Sequence, residues 1–292
     1  MGIELTGTNA VRAMKNQAPG GGSDSVLEAF SQVSSIRACG AGTFDGQISG
    51  AWTIAGKPNG GYLLALLGRA ASALTNSGDV VAASAHYLRS PAPGPVEIEG
   101  VLLRRGRSIS QVRARMSQGG RLCVESLMSI SELDPSTAPH WDAGVPDGQV
   151  LPFDDCIRLK PVTPDGSRVA MFDQVDVRLD PEWSGVTNGR PSGRGQLRGW
   201  LKLLGEESFD PISLLYAVDA LPPPTFDTDF IDMVSTAELT VYVRAIPAPG
   251  PVRIAARARL IDPRWVDHTC DVWDGTGRLV AQATQLARRP LG

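Results

Sequence analysis

Alternation of apolar and polar positions divides most of this chain into strands grouped around two apolar helices. Residues 60–71 are apolar nearly all round for about three helical turns, a pattern that leaves no face for solvent and predicts a buried helix. A second apolar stretch, residues 211–221, is opened by Asp210 as N-cap with Pro211 at the first helical position. It is stopped by Pro222-Pro223-Pro224, which predicts a second helix of similar kind. Between and after them the period changes to two. Val112, Ala114 and Met116 alternate with Arg113 and Arg115, Gly119-Gly120 turns the chain, and Leu122, Val124 and Ser126 return as the second arm of an antiparallel hairpin. Val252, Ile254, Ala256 and Ala258 alternate with Arg253, Arg257 and Arg259 in the same way, ahead of a turn at Asp274-Gly275-Thr276-Gly277. Each sheet therefore has one apolar face and one wet face.

The order of elements occurs twice. Tyr87-Leu88-Arg89 and Ala92-Pro93-Gly94-Pro95-Val96 return as Tyr242-Val243-Arg244 and Ala248-Pro249-Gly250-Pro251-Val252, and Gly120-Arg121-Leu122 returns as Gly277-Arg278-Leu279. The offsets are 155, 156 and 157 residues, a drift that turns can absorb, and they indicate a tandem duplication. The expected organisation is a mobile leader over 1–24, containing Gly20-Gly21-Gly22-Ser23, a first unit over 25–133, a connection rich in Pro, Asp and Gly over 134–168, and a second unit over 169–292.

A length of 292 residues accommodates two cores, and 42% apolar with 20% charged residues is the balance of a soluble folded protein. A formal charge of -3 without long basic runs argues against nucleic acid and anionic membrane surfaces as main partners. Cys39, Cys123, Cys156 and Cys270 form no CxxC pair and His86, His140 and His268 lie in separate segments, so neither a metal site nor a cofactor is expected. With no basic-then-apolar leader and no apolar stretch long enough to cross a bilayer, the expected location is the cytoplasm.

Three segments in order, Asn59-Gly60-Gly61-Tyr62 opening the first helix, His86-Tyr87-Leu88-Arg89-Ser90-Pro91 on the following strand and Arg104-Arg105-Gly106-Arg107-Ser108 at the next bend, resemble the double-hotdog acyl-CoA thioesterases of the thioesterase II family. The resemblance covers roughly residues 30–290. It implies an α+β fold of two tandem hotdogs, each a long central helix wrapped by an antiparallel sheet, an acyl-CoA substrate and a homo-oligomer, a dimer of double hotdogs. It also implies a water-activating trio in the second half: an aspartate late in the helix, a threonine or serine on the next strand and a glutamine on the last strand. The matching positions are Asp219, Ser235 and Gln285, with serine where the family has threonine.

The residues themselves bear on each position. Asp219 continues the apolar stripe Ile212, Leu215, Tyr216 in the last helical turn, where the dipole is unfavourable to a carboxylate, so it needs a compensating partner or a purpose. Ser235 alternates with Met233, Ala237, Leu239 and Val241 toward the core, while Thr236 shares the wet face with Glu238 and Thr240 and takes the place of Ser235 if the register slips by one. Gln285 follows Leu279, Ala281 and Ala283, small side chains that leave room for a ligand, and Gln282 lies on the opposite face. Backbone N–H groups at Gly60 and Gly61 suit an oxyanion or substrate site at a helix start; equally, the two glycines allow close packing. Arg104, Arg105 and Arg107 read as solvated surface, and His86 and His268 as packed or hydrogen-bonded side chains. No GxSxG elbow is present, which disfavours a Ser-His-Asp hydrolase, and the helix start lacks the Asp and His pair of an enoyl-CoA hydratase on this fold. The expected activity is water-mediated hydrolysis of fatty acyl-CoA by Asp219 with Ser235 and Gln285. The serine leaves a non-catalytic acyl-ligand binding protein as the alternative.

Overall fold

The computed structural model describes residues 27–75, 78–136, 138–141, 150–163, 166–230 and 234–289; the leader expected over 1–24 and parts of the connection expected over 134–168 lie outside the described residues. The first half runs α1 (Phe30–Val33), β1 (Ile36–Gly40), β2 (Thr43–Ile48), the two-residue strands β3 (Thr53–Ile54) and β4 (Lys57–Pro58), α2 (Gly60–Thr75), β5 (Asp79–Tyr87), β6 (Gly94–Arg104), β7 (Ser110–Gln118) and β8 (Arg121–Ser131). The second runs β9 (Ile157–Arg158), β10 (Val175–Leu179), β11 (Gln196–Leu203), α3 (Ser213–Ala217), β12 (Ser235–Val243), β13 (Val252–Ile261), β14 (Trp265–Trp273) and β15 (Leu279–Arg288).

Thirteen strands form one antiparallel sheet in the order β1-β2-β6-β7-β8-β5-β12-β15-β14-β13-β11-β10-β9, and β3 pairs with β4 apart from it. Outward from the central β5–β12 pair the two sides read alike, β8-β7-β6-β2-β1 against β15-β14-β13-β11-β10. In the seam between them Ser84 pairs with Thr240, its own counterpart 156 residues on, and the two hydroxyls hydrogen-bond at 3.0 Å. The duplication also extends to backbone irregularities. β5 bulges at Val81 and β12 at Ala237; β6 bulges at Leu103 and β13 at Arg259; β8 bulges at Cys123 and β15 at Val280. Structural equivalence is thus an offset of 156, rising to 157 in the last strand, so the counterpart of Tyr87 is Val243. The sequence match of Tyr87 to Tyr242 is one residue out of structural register, and the side chains differ accordingly: Tyr87 bonds the Gly60 carbonyl at 2.8 Å, while Tyr242 is exposed.

The hairpins arise as their patterns require. Val112, Ala114 and Met116 are buried on β7, and the turn into β8 puts Gly119 and Gly120 at φ of 56° and 73°, a left-handed pair that glycine adopts without strain. α2 spans 16 residues and lies under β5 to β8, with eleven of its side chains or backbone positions buried, as the lack of a polar face demands. Its last turn is capped by Arg105, whose guanidinium donates to Leu74 O and Thr75 O, so this arginine serves the helix end remote from Gly60.

The second helix departs from expectation. Two long central helices were expected, and α3 is a five-residue helix; among the described residues only α2 exceeds seven. Asp210 does cap it, accepting from Ser213 N–H at 2.6 Å while Ser213 Oγ accepts from Asp210 N–H at 2.7 Å. Beyond Ala217 the chain tightens into three-residue turns, Asp219 N–H to Tyr216 O at 2.9 Å and Ala220 N–H to Ala217 O at 3.4 Å, and Pro222 to Pro224 carry no N–H to continue it. α3 packs antiparallel on α2, and Phe30, Trp52, Tyr62 and Tyr216 close over the junction as an aromatic cluster with ring centroids 5.1 to 6.5 Å apart. No helix among the described residues is long and apolar enough to cross a membrane.

Candidate functional site

The site is built where the first turn of α2 meets the end of α3. Asn59 precedes α2 and caps it, its Oδ1 accepting from Tyr62 N–H at 2.9 Å. That bond fixes the amide, and the opposite end, Nδ2, donates to Asp219 O at 2.8 Å and Asp219 Oδ2 at 3.1 Å. Gly61 N–H donates to the same Oδ2 at 2.9 Å, and Gly60 N–H also bonds the carboxylate. The unfavourable dipole of its own short helix is therefore offset by the positive end of a helix from the other half of the chain. Such an approach requires glycine. A Cβ on Gly61 would lie 2.6 Å from Leu215 O and 2.9 Å from Tyr216 Cα, and one on Gly60 would lie 3.1 Å from Asp219 Oδ2.

Burial is the largest influence on Asp219 and raises its pKa; the bonds from Gly61, Asn59, Gln285 and Gly60 oppose it, and the balance stands at about 6 against an ordinary 3.8. Desolvation wins over four donors. Asp219 as a whole residue is half-buried. A group of this kind is ionised at neutral pH yet basic enough to accept a proton.

On the sheet beneath, Gln285 of β15 is buried, hydrogen-bonds the Asp219 carboxylate, and donates from Nε2 to Thr236 Oγ1. Sequence alternation placed Ser235 on the core face, and the structure places Thr236 there instead. Strict alternation from Leu239, Val241 and Val243 would carry Ala237 and Ser235 inward, but the bulge at Ala237 inserts one residue and shifts the phase: Ser235 opens β12 exposed and opposite Arg288. The clue lay in the first copy, where the bulge at Val81 turns Val80 into the core in the same way.

Two further positions can be placed. The amides of Gly60 and Gly61 were read as an oxyanion or substrate site; their immediate partner is the Asp219 carboxylate, and glycine is also required there for helix-to-helix approach. His268, read as a packed or hydrogen-bonded side chain, is buried and pairs with Gln285 across β14 and β15, its Nε2 bonding Gln285 Oε1. Asn59, whose side chain was given no role, holds Asp219. His86 stands exposed at the end of β5 opposite Glu238, away from the cluster's buried face.

The family model for the N-terminal domain of acyl-CoA thioesterases matches residues 48–131 and that for the C-terminal domain matches residues 153–288. An uncharacterised protein of Mycobacterium tuberculosis H37Rv is 30% identical over 270 residues, covering 85% of this chain and 91% of the relative, and one of Mycobacterium bovis matches equally. A provisionally designated thioesterase II from Thermobifida fusca YX is 32% identical and superposes with a TM-score of 0.82 over 91% of this chain and 99% of that one. A hot dog fold protein of unknown function from Alicyclobacillus acidocaldarius, 21% identical, gives 0.76 over 91% and 100% and supports the fold alone.

Two outcomes follow from the geometry. Gly61→Ala is expected to lose about 1–3 kcal/mol of stability in denaturant unfolding, because α3 must retreat from the added methyl and both backbone and carboxylate contacts are strained. Asp219 favours the folded state only while protonated: its contribution is fully present below its unfolded pKa near 3.8 and is lost as pH rises through about 6. Asp219→Asn should therefore raise the melting temperature relative to wild type more at pH 8 than at pH 4.

Proposed function

Since the chain belongs to the acyl-CoA thioesterase family, we propose that it hydrolyses the thioester of fatty acyl-CoA to a free fatty acid and coenzyme A, with Asp219, Thr236 and Gln285 activating water. The observation that carries the reading is the convergence of a buried carboxylate of raised pKa with the Thr236 hydroxyl and the Gln285 amide at the helix junction. Asp219 takes a proton from water as the water oxygen bonds the thioester carbon. The tetrahedral adduct then collapses, the C–S bond breaks, and the proton held on Asp219 passes to the departing thiolate. Thr236 Oγ1 accepts from Gln285, which leaves its hydroxyl hydrogen to donate toward the attacked water or the carboxylate. No covalent acyl-enzyme is needed.

The alternative, a protein that binds acyl ligands without turnover, rested on serine at the hydroxyl position. Thr236 offers a hydroxyl from the core face instead, which supports turnover over mere binding.

Assay of a panel of acyl-CoA esters for released thiol tests the proposal. Wild type is expected to release thiol, with a rate that rises with pH through about 6 and then levels, because the ionised form of Asp219 is the active one. Asp219→Asn should lower the rate at least about a hundredfold. Thr236→Val should lower it substantially and Ser235→Ala should leave it near wild type, the reverse order being incompatible with this assignment. Thermal stabilisation by acyl-CoA with no thiol released at any chain length would support the binding protein instead.

A further inference from the structure

His268 is a buried titratable side chain of the second half that bonds Gln285 and has no part in the proton transfer. Its ring has bonding capacity at two nitrogens. Nε2 meets Gln285 Oε1, and Nδ1 is buried with no hydrogen-bond partner among the described residues.

An amide has a donor end and an acceptor end, and for Gln285 the choice matters. With Nε2 toward Asp219 and Thr236, the amide donates to the ionised carboxylate and the hydroxyl oxygen; turned over, it would set its own oxygen against the carboxylate. The acceptor end, Oε1, meets His268 Nε2. An Nε2–H on the imidazole rewards the first orientation, whereas a bare Nε2 would accept from the amide and favour the second.

The duplicated fold supplies an internal control. Register for register, the pair His268–Gln285 corresponds to Val112–Met128, and the pair Leu239–Gln285 to Ala83–Met128. Thr236 likewise corresponds to Val80, one residue ahead of the equivalent bulge. Val80, Val112 and Met128 are all buried. The same layer of the same architecture is thus filled by three apolar residues in one copy and by a hydrogen-bonded Thr, His and Gln in the other. Packing does not ask for a histidine here, and well-packed apolar groups usually match or exceed buried polar networks in stability.

We propose that His268 is a positioning residue of the water-activating site: as the Nε2–H tautomer it binds Gln285 Oε1 and so holds the Gln285 amide with its donor end toward Asp219 and Thr236. This deepens the hydrolase reading and rests on it for its effect on rate, though the orientation itself exists whether or not turnover does. Burial lowers the imidazole pKa and favours the neutral ring; the ionisable groups about it are Asp219 beyond Gln285, Asp267 beside it on β14 and the buried Cys270 two residues along, while its β13 partner is Ala258.

The test joins a spectrum to kinetics. In long-range 15N–1H correlation spectra at pH 8, the signals assigned to His268 by their loss in His268→Val, among the chain's three histidines, are expected to show the neutral Nε2–H form. His268→Val, which installs the residue of the other copy, should fold with a melting temperature at or above wild type and lose up to about a hundredfold in kcat with little change in KM. His268→Gln, whose amide N–H can reach Oε1, should recover part of that loss. A neutral Nδ1–H form, an imidazolium at pH 8, or equal kcat for wild type and a folded His268→Val overturns the proposal. Should wild type release no thiol at all, the tautomer still decides the positioning, and only the hydrolase reading fails.

Discussion

The hydrogen bonds that Asn59 and Gly61 give to Asp219 are the constraint on which the working half of this protein depends. They join the start of α2, in the first half of the chain, to the end of α3, in the second. They compensate a carboxylate that its own helix disfavours and burial destabilises. They also set two glycines at the contact, since any side chain at Gly61 would collide with the backbone of Leu215 and Tyr216. The pKa of about 6 is the outcome of that contest. With fewer donors Asp219 would be protonated at neutral pH and unable to act as a base; with less burial it would be a poorer one.

The asymmetry between the halves follows. Both copies have the same strand order and the same three bulges, yet the layer facing the helix junction is apolar in one and polar in the other. A β-bulge is what makes the difference usable, because it turns a residue out of alternation toward the core: Val80 in the first copy, Thr236 in the second. The backbone offers the position twice, and side chains decide whether it packs or reacts.

Much of this was legible in the sequence. The buried helix at residues 60–71, the hairpins and the repeat are consequences of period and spacing, and Asp219 stood out because a carboxylate on an apolar stripe is costly. What was not legible has physical causes. The short α3 arises because a chain that tightens to three-residue turns before a triple proline looks helical in composition until its bonds are seen. Ser235 was preferred to Thr236 because alternation carries no mark of a bulge, and only structural equivalence with Val80 reveals it. The side chain of Asn59 went unassigned because its second partner, Asp219, lies 160 residues away in the other half of the chain. His268 was unassigned because its partner lies 17 residues away across a hairpin, a relation set by register.

The central pairing of β5 with β12 has a consequence for synthesis. As the chain emerges from the ribosome the first half can lay down β1 to β8 while the second is still being made, and β5 then ends that partial sheet with a row of unsatisfied N–H and C=O groups. Its natural occupant arrives about 150 residues later, and until then the β12 of a neighbouring chain would satisfy it equally well. Exchange of halves between nascent chains is thus the misassembly to which this architecture is most open, and the β5–β12 seam that makes the sheet continuous is also the place where two molecules could become entangled.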